Sequence, residues 1–449
     1  MTVADHVAGT GATAGEALVF AATCDLSGHV RGKAFPAADL EKRLRRGVGF
    51  THSNIMMSAF GPIYATPFGT EGDLMLVPDP SAGVDVPFEG GAPERFYLSD
   101  LRTTDGAFWE CCPRDFLRRA LADLRDATGL TLLAAFEQEF VYTGVEERPS
   151  ATYGLDAFRR QGQFGARFLA AIRAAGAMPD SFLPEYGPRQ YEVTVAPATG
   201  LRAADDAVIV REMARAVAWR MGHRAIFAPM LAPDGIGNGT HIHFSLIDDA
   251  GSPAMRDPTG PFGLSAVGAH FAAGVLHHLP ALSAVTAPSV ASYYRLTPNR
   301  WAPTWANLGL RDRGSALRVC PVFASDSEAD ATRQFNLEYR VADATASPYM
   351  ALGALVHAGV DGIREKRALP DVPASGFLAM TDAERDASGA RRLPATLAEA
   401  LDALAATPAA PSWFGARFFD VYKQFKDSEM AALAGLHPTD ICARYAAAY

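Results

Sequence analysis

The hardest constraint on any fold of this chain lies in residues 132–141, L-L-A-A-F-E-Q-E-F-V. In a strand, residues two apart share a face, so Glu137 and Glu139 point one way while Phe136 and Phe140 point the other. Two carboxylates side by side on an apolar strand repel each other unless a cation lies between them or both reach water. A solvated sheet face satisfies the pattern as well as a cation site does.

Three further segments repeat the theme. Gln190–Val195, Q-Y-E-V-T-V, places Glu192 on a strand, and Glu185 precedes it across a Gly-Pro pair that implies a turn. The turn would fold the two carboxylates together or leave them on the surface. Thr240–Ile247, T-H-I-H-F-S-L-I, puts His241, His243 and Ser245 on one face and Ile242, Phe244 and Leu246 on the core face. Histidines spaced H-x-H on a strand project in parallel, as metal ligands or as hydrogen-bonded sheet residues. The preceding G-I-G-N-G contains Gly237 and Gly239, where backbone can approach a ligand closely. Residues 335–341, F-N-L-E-Y-R-V, align Asn336, Glu338 and Arg340 opposite Leu337, Tyr339 and Val341; an ion pair is the plain reading.

Arg295, Arg300, Arg311, Arg313 and Arg318 crowd the stretch before that last strand. In an acidic chain such density suggests an anion site, although surface or subunit contacts would also use arginine. Carboxylates on several strands with strand histidines fit hard, oxygen-ligated cations, Mg²⁺ or Mn²⁺ rather than structural zinc. Metals beside arginines are what phosphoryl transfer needs.

Composition sets the frame. The 449 residues are 49% hydrophobic and 20% charged, which excludes a disordered chain. The net charge of −9 argues against nucleic acid or an anionic membrane as partner. Five cysteines without a CxxC spacing read as reduced thiols and a cytoplasmic protein. The first twenty residues lack signal-peptide character, and no apolar run is long enough to span a membrane. Residues 1–15 read as a flexible start, and 16–110 as strand-rich, with strands expected at 17–24, 61–67 and 73–78. A boundary falls near 110, before the 111–449 part. Helices are expected at Pro113–Thr128, 157–175, 203–221, 265–279 and 349–365, with a loop at 407–411. The expected class is α+β with a largely antiparallel sheet.

The ordered segments F-E-Q-E-F, E-Y-G-P-R-Q-Y-E, G-N-G-T-H-I-H-F-S-L, S-Y-Y-R-L-T-P, R-D-R-G-S-A-L-R and N-L-E-Y-R-V-A-D-A-T-A-S-P-Y resemble the glutamine synthetase family. The resemblance implies a small N-terminal β-grasp-like domain and a catalytic domain with a curved antiparallel sheet. It implies active sites between subunits of a homo-oligomeric ring, commonly a dodecamer of two stacked hexamers. Glu139, Glu185 and Glu192 match the ligands of one metal, and Glu137, His241 and Glu338 those of a second. Two or three Mg²⁺ or Mn²⁺ ions per site follow, with ATP as co-substrate. His243 matches a histidine beside the nucleotide phosphates; Ser245 and Arg318 fall on the nucleotide side. Arg311 and Arg340 match arginines holding the transferring phosphoryl group. Arg295, Arg340 and the backbone at Gly237 match the grip on L-glutamate. The chemistry implied is ATP-dependent formation of γ-glutamyl phosphate, then displacement of phosphate by an amine.

The sequence departs from the ammonia-using members at their two ammonium-binding acids. Thr51, in F-T-H-S-N, stands in place of one, and Trp301, in P-N-R-W-A-P, in place of the other. Asn336 replaces an arginine directed at the nucleotide. The expected activity is therefore a γ-glutamyl amide ligase whose amine, aryl or alkyl, is larger than ammonia. An arylamine arrives neutral, whereas an alkylammonium would use cation–π contact with Trp301. The competing readings are an ordinary glutamine synthetase, a catalytically inactive ring-forming relative, and a zinc hydrolase built on the H-x-H.

Overall fold

The computed structural model describes residues 15–449 apart from 71, 90, 149–151, 299, 371–376 and 389. The expected flexible start therefore lies outside the described residues, except at Gly15. Five strands make the N-terminal sheet: β1 (Leu18–Cys24), β2 (Val30–Pro36), β3 (Val48–Thr51), β4 (Asp73–Val86) and β5 (Glu94–Thr103), with α1 (Leu40–Arg46) between β2 and β3. Their order is β2-β1-β5-β4-β3, and only the β1–β5 pair is parallel. The strand expected at 61–67 is not formed; a single bridge, Met57 to Ile63, is all that pairs there. Pro62 and Pro67 each lack the N–H that a ladder needs.

After α2 (Pro113–Thr128) the chain builds the large sheet. β6 (Thr131–Tyr142) is followed by α3 (Leu155–Arg160), α4 (Phe164–Ala174), β7 (Pro179–Pro184), β8 (Gln190–Val195), β9 (Ala198–Thr199), α5 (Leu201–Arg220), β10 (Ala225–Ile226) and β11 (Thr240–Ile247). Then come α6 (Ala266–Thr286), α7 (Ser292–Arg295), β12 (Trp305–Ala306), β13 (Leu308–Leu310), β14 (Leu317–Val319), α8 (Glu328–Gln334), β15 (Leu337–Tyr339) and α9 (Pro348–Arg364). The main path of this nine-stranded sheet is β13-β14-β15-β11-β6-β8-β7. β6 and β11 lie at its centre, which is why their side chains define the site. Helices including Leu397–Ala405, Ala410–Phe414, Ala416–Leu433 and Pro438–Ala448 complete the α+β fold.

Alternation along β6 sorts the two faces. Phe136, Gln138 and Phe140 are buried, and Glu137 and Glu139 are half-buried on the opposite side. Phe140 is anchored by aromatic contacts to Phe164, Phe168, Tyr191 and Phe227. Slipping this strand by one residue would drive both glutamates into that cluster, so the aromatic packing fixes which face carries charge.

Two helices differ from the sequence expectation. The 157–175 segment breaks at Gly162, whose φ of 63° suits glycine, giving α3 and α4. The helix expected to stop at 279 runs through Pro280 to Thr286. Proline removes the donor that would reach the Leu276 carbonyl, and the Arg391 guanidinium donates to that carbonyl instead, at 3.1 Å. The deep burial of Leu279, Leu282 and Val285 then carries the helix onward. The 407–411 stretch opens a helix rather than ending in a loop, with Pro411 in its first turn.

The N-terminal sheet is tied to α5 by Arg114 at the start of α2. Its guanidinium reaches Asp79 on β4 at 2.8 Å, Asp100 on β5 at 3.0 Å and Asp205 on α5 at 2.9 Å. Burial opposes the charge, and the Asp205 carboxylate outweighs it, so Arg114 stays firmly protonated. Arg114→Met strands three carboxylates and should lower the unfolding free energy by about 3–5 kcal/mol in urea titration. A loss below about 1 kcal/mol would show the tie to be dispensable.

Candidate active site

The ladder registers bring the candidate side chains together row by row. His241 lies opposite Glu137 and His243 opposite Ala135 on β6; His243 also lies opposite Glu338 on β15. Arg318 on β14 faces Glu338, and Glu139 on β6 faces Glu192 on β8. Directly opposed residues share a face about 4.5–5.5 Å apart at Cβ, so the row of charges follows from pairing alone.

Two ligand groups result, each with its donor atoms within 4.8 Å of one another: Glu137, His241 and Glu338, and Glu139, Glu192 and His241. His241 Nδ1 lies 3.2 Å from Glu137 Oε2 and 3.5 Å from Glu338 Oε1. The first group is the one the resemblance implies. The second holds Glu139 and Glu192 of the set the resemblance implies, with His241 beside them; Glu185 is not among the residues whose donor atoms lie that close together. Glu185 sits at the mouth of the β7–β8 hairpin, held there by Tyr153 Oη at 3.1 Å and the Tyr186 N–H at 2.8 Å.

Electrostatics show what the cluster lacks. Burial pushes the Glu192 carboxyl up, and the charges of Glu137, Glu139, Glu185 and Glu338 push it further, to about 9. Burial and Glu139 likewise raise Glu185. Glu137 goes the other way. Burial would raise it, but hydrogen bonds from His241 and His243 outweigh burial and hold it well below the usual carboxylate range. Burial also opposes the charge of Glu338, yet His241, Arg340, His243 and Arg318 bring it to about 2. Burial would lower His243, while Cys320 and Glu137 raise it well above the usual histidine range. Five carboxylates thus act on one another with too little positive charge among them, the donor set a hard divalent cation completes. Gly239 keeps that space open. A Cβ there would come within 3.3 Å of His241 Nε2 and Arg295 Nη1, and 3.7 Å from Glu139 Oε1.

The arginines divide. Arg340 pairs with Glu338. Arg318, expected beside the nucleotide, is buried with Nη1 2.6 Å from Glu338 Oε2. Arg295 is buried under the 237–239 loop and donates to the Val341 and Ala342 carbonyls. A Cβ on Gly237 would fall 2.6 Å from Arg295 Cγ, so the two expected glutamate-binding elements are in contact. Ser245 is buried on the His243 face, its Oγ without a partner. Arg311 is exposed, with φ of 60° and no ion pair among the described residues. Trp301 is 79% exposed, and Thr51 is exposed at the edge of the N-terminal sheet. The described chain thus gathers the metal-type ligands, Arg295, Arg318, Arg340 and Gly237, and leaves Arg311, Trp301 and Thr51 on its surface.

The site roles of Gln190, Cys320 and Tyr153 had escaped the sequence reading, and that of Asn336 is now defined. Gln190 Nε2 donates to the Gly237 carbonyl and to Asn238 Oδ1, both at 2.8 Å, and locks the glycine loop over Glu139. Asn336 Oδ1 lies 2.9 Å from His243 Nδ1, and Cys320 Sγ lies 3.6 Å from the same atom. Period-two spacing from Glu192 and from Arg318 would have pointed to Gln190 and Cys320. Nothing in the sequence marks Tyr153.

Known proteins resemble this chain in sequence and fold. Residues 110–443 match the family "Glutamine synthetase, catalytic domain", and residues 6–109 match "Glutamine synthetase N-terminal domain". Gamma-glutamylpolyamine synthetase GlnA3 of Streptomyces coelicolor is 33% identical over 95% of this chain and 92% of its own length. The glutamine synthetase of Thermococcus kodakarensis is 32% identical over 85% of this chain and 82% of its own. A solved "novel glutamine synthase homolog" superposes with a TM-score of 0.90 at 42% identity, covering 97% of this chain and 99% of that one. An ADP complex of GmaS gives 0.81 at 25% identity, covering 94% and 95%.

The raised Glu192 and His243 have a consequence for stability. Each holds its proton in the folded state at a pH where the unfolded chain has released it. Metal-free stability should therefore fall as pH rises from 7 to 8.5. Glu192→Gln should reduce that slope by up to about 1.4 kcal/mol per pH unit, one proton's worth, in chelator-treated urea unfolding. An unchanged slope in the variant would remove Glu192 from the account.

Proposed function

The chain belongs to the glutamine synthetase family, as an ATP-dependent carbon–nitrogen ligase, and on that premise we propose that it joins the γ-carboxylate of L-glutamate to an amine larger than ammonia. The observation that carries the choice of amine is Trp301. Residues 296–310 contain no acidic side chain, and the indole stands out from the surface where ammonia-using members resemble one another in having a carboxylate. An indole face offers an apolar wall and cation–π attraction, suited to an amine with a hydrocarbon body. The name of the Streptomyces relative makes polyamines the first class to test, beside aryl- and alkylamines.

In this reading Glu137, Glu139, Glu185, Glu192, His241 and Glu338 hold two or three Mg²⁺ or Mn²⁺ ions. Bound there, the cations neutralise phosphate charge during transfer. Arg295 and the Gly237 backbone hold L-glutamate. Arg340 and Arg311 steady the transferring phosphoryl group, and His243, Ser245 and Arg318 line the ATP side. The γ-carboxylate oxygen attacks the terminal phosphorus of ATP and ADP leaves. The amine nitrogen then attacks the acyl carbon, phosphate departs and the nitrogen loses a proton. Asn336 Oδ1, 2.9 Å from His243 Nδ1, holds the ring, and Glu137 Oε1 lies 3.1 Å from its Nε2; in this reading that ring stands where phosphate charge would develop.

Thr51 lies on the edge strand β3, and Trp301 and Arg311 are exposed, which suits a site completed by a neighbouring subunit. We therefore read the protein as a homo-oligomeric ring, a dodecamer of two hexamers, with residues 16–110 and 111–449 as its two domains. No described helix is long and apolar enough to cross a membrane. A cytoplasmic reaction fits the ATP requirement and the buried free thiols.

The test is kcat/KM for ammonia against putrescine, spermidine, isopropylamine, ethanolamine and aniline, read as phosphate release and product mass. At least one larger amine should exceed ammonia. Trp301→Glu should shift the ratio towards ammonia by about tenfold, the scale of one lost contact of about 1–2 kcal/mol. Ammonia as the best substrate of the unaltered protein would refute the reading.

A further inference from the structure

Beside the oxygen-rich cluster lies a third group of different chemical character. His243, Cys320 and Glu338 have ligand atoms within 4.8 Å of one another. Cys320 follows β14, and its N–H donates to the Asn336 carbonyl, which fixes the residue beside the site. Its Sγ lies 3.6 Å from His243 Nδ1 and 3.9 Å from Glu338 Oε2.

These spacings can be set against a tetrahedral ion. Zn–N of about 2.0 Å and Zn–S of about 2.3 Å place nitrogen and sulfur about 3.5 Å apart, and sulfur and oxygen at about the same distance. The observed N···S separation meets that value without rearrangement, and the S···O separation is a few tenths of an ångström longer. The other His243 nitrogen, Nε2, lies 3.1 Å from Glu137 Oε1, so a carboxylate stands beside the ring on the side away from the sulfur. Glu338 is 1% exposed, so the carboxylate is fixed and dry. The competing contacts are Asn336 Oδ1 on His243 Nδ1 at 2.9 Å and Arg318 Nη1 on Glu338 Oε2 at 2.6 Å. A cation arriving between nitrogen, sulfur and oxygen would take the place of Arg318 at Glu338 Oε2 and of the proton that His243 Nδ1 donates to Asn336, while Arg340 keeps its pairing with Glu338 Oε1.

We propose that His243, Cys320 and Glu338 form an inhibitory binding site for a thiophilic divalent cation, Zn²⁺ in the first instance, distinct from the Mg²⁺ positions. Mg²⁺ seeks octahedral oxygen ligands and gains little from sulfur, whereas Zn²⁺ takes thiolate, imidazole and carboxylate with a water as fourth ligand. Binding releases the Cys320 thiol proton, and any proton on His243 Nδ1, to solvent. It also withdraws Glu338 from the Glu137–His241–Glu338 group. The inhibitory consequence rests on the proposed role of Glu338; the binding does not.

The test uses full-length, chelator-treated, reduced protein with Co²⁺ as a spectroscopic probe, which reads binding without any ligase activity. One equivalent of Co²⁺ should give a thiolate-to-cobalt charge-transfer band in the near ultraviolet, bleached by one equivalent of Zn²⁺. The band should vanish in both Cys320→Ala and Cys320→Ser, compared by circular dichroism and chromatography with the unaltered protein; the serine variant guards against a packing defect. Co²⁺ bound without the band, or a band that persists in Cys320→Ala, overturns the site. In Mg²⁺-supported turnover, each protein is scaled to its own zinc-free rate. The Zn²⁺ concentration for half-inhibition should then rise at least about tenfold in Cys320→Ala, as expected for loss of a ligand. Equal sensitivity overturns the inhibitory role.

Discussion

Everything in the catalytic half of this protein is arranged around the repulsion among Glu137, Glu139, Glu185, Glu192 and Glu338. Antiparallel pairing forces most of them onto one face of a sheet, and burial denies them the water that would screen their charge. The protein's own cations answer only part of the deficit. Arg318 and Arg340 neutralise Glu338, and His241 and His243 hold Glu137 ionised. Glu192 is left to keep a proton. A fold that maintains such frustration is poised for something positive, and the divalent cations of the glutamine synthetase family are the natural occupants.

The scaffold that bears this cost is apolar and stiff. The aromatic cluster around Phe140 fixes the face of β6, and α5 and α2 pack behind it. Arg114 carries the N-terminal sheet on the same framework through three carboxylates. Above the sheet, Gln190 clamps the 237–239 loop onto Glu139, and glycines there keep open the space a ligand would fill. Rigid strands supply the charges, and the loop supplies close backbone approach. That division of labour suits a reaction whose catalysis is mostly positioning and charge neutralisation.

Much of this was legible in the sequence because strands have a period of two. The spacings of Glu137 and Glu139, and of His241 and His243, gave both the strands and the face they decorate. The 240–247 and 190–195 strands were read at their observed bounds. Registers between strands are not written locally, so the sharing of His241 between two ligand groups was hidden. The continuation of α6 past Pro280 was hidden for a similar reason. Its missing hydrogen bond is compensated by Arg391, more than a hundred residues away. Cys320 was visible only as a thiol; its meeting with His243 and Glu338 depends on the β14–β15–β11 pairing. Trp301 and Thr51 stood out by comparison with the family pattern, yet a single chain leaves both on its surface.

The central claim is that the carboxylate face is a divalent-cation site whose neutralisation the fold awaits. It is tested most directly by calorimetric titration of Mn²⁺ into chelator-treated protein at pH 7, in two buffers of different ionisation enthalpy. The account predicts at least two Mn²⁺ ions per chain, with a proton released on filling the Glu139–Glu192–His241 group because bound Glu192 must ionise. Fewer than one ion per chain, or binding with no proton released and no change in Glu192→Gln, would contradict it.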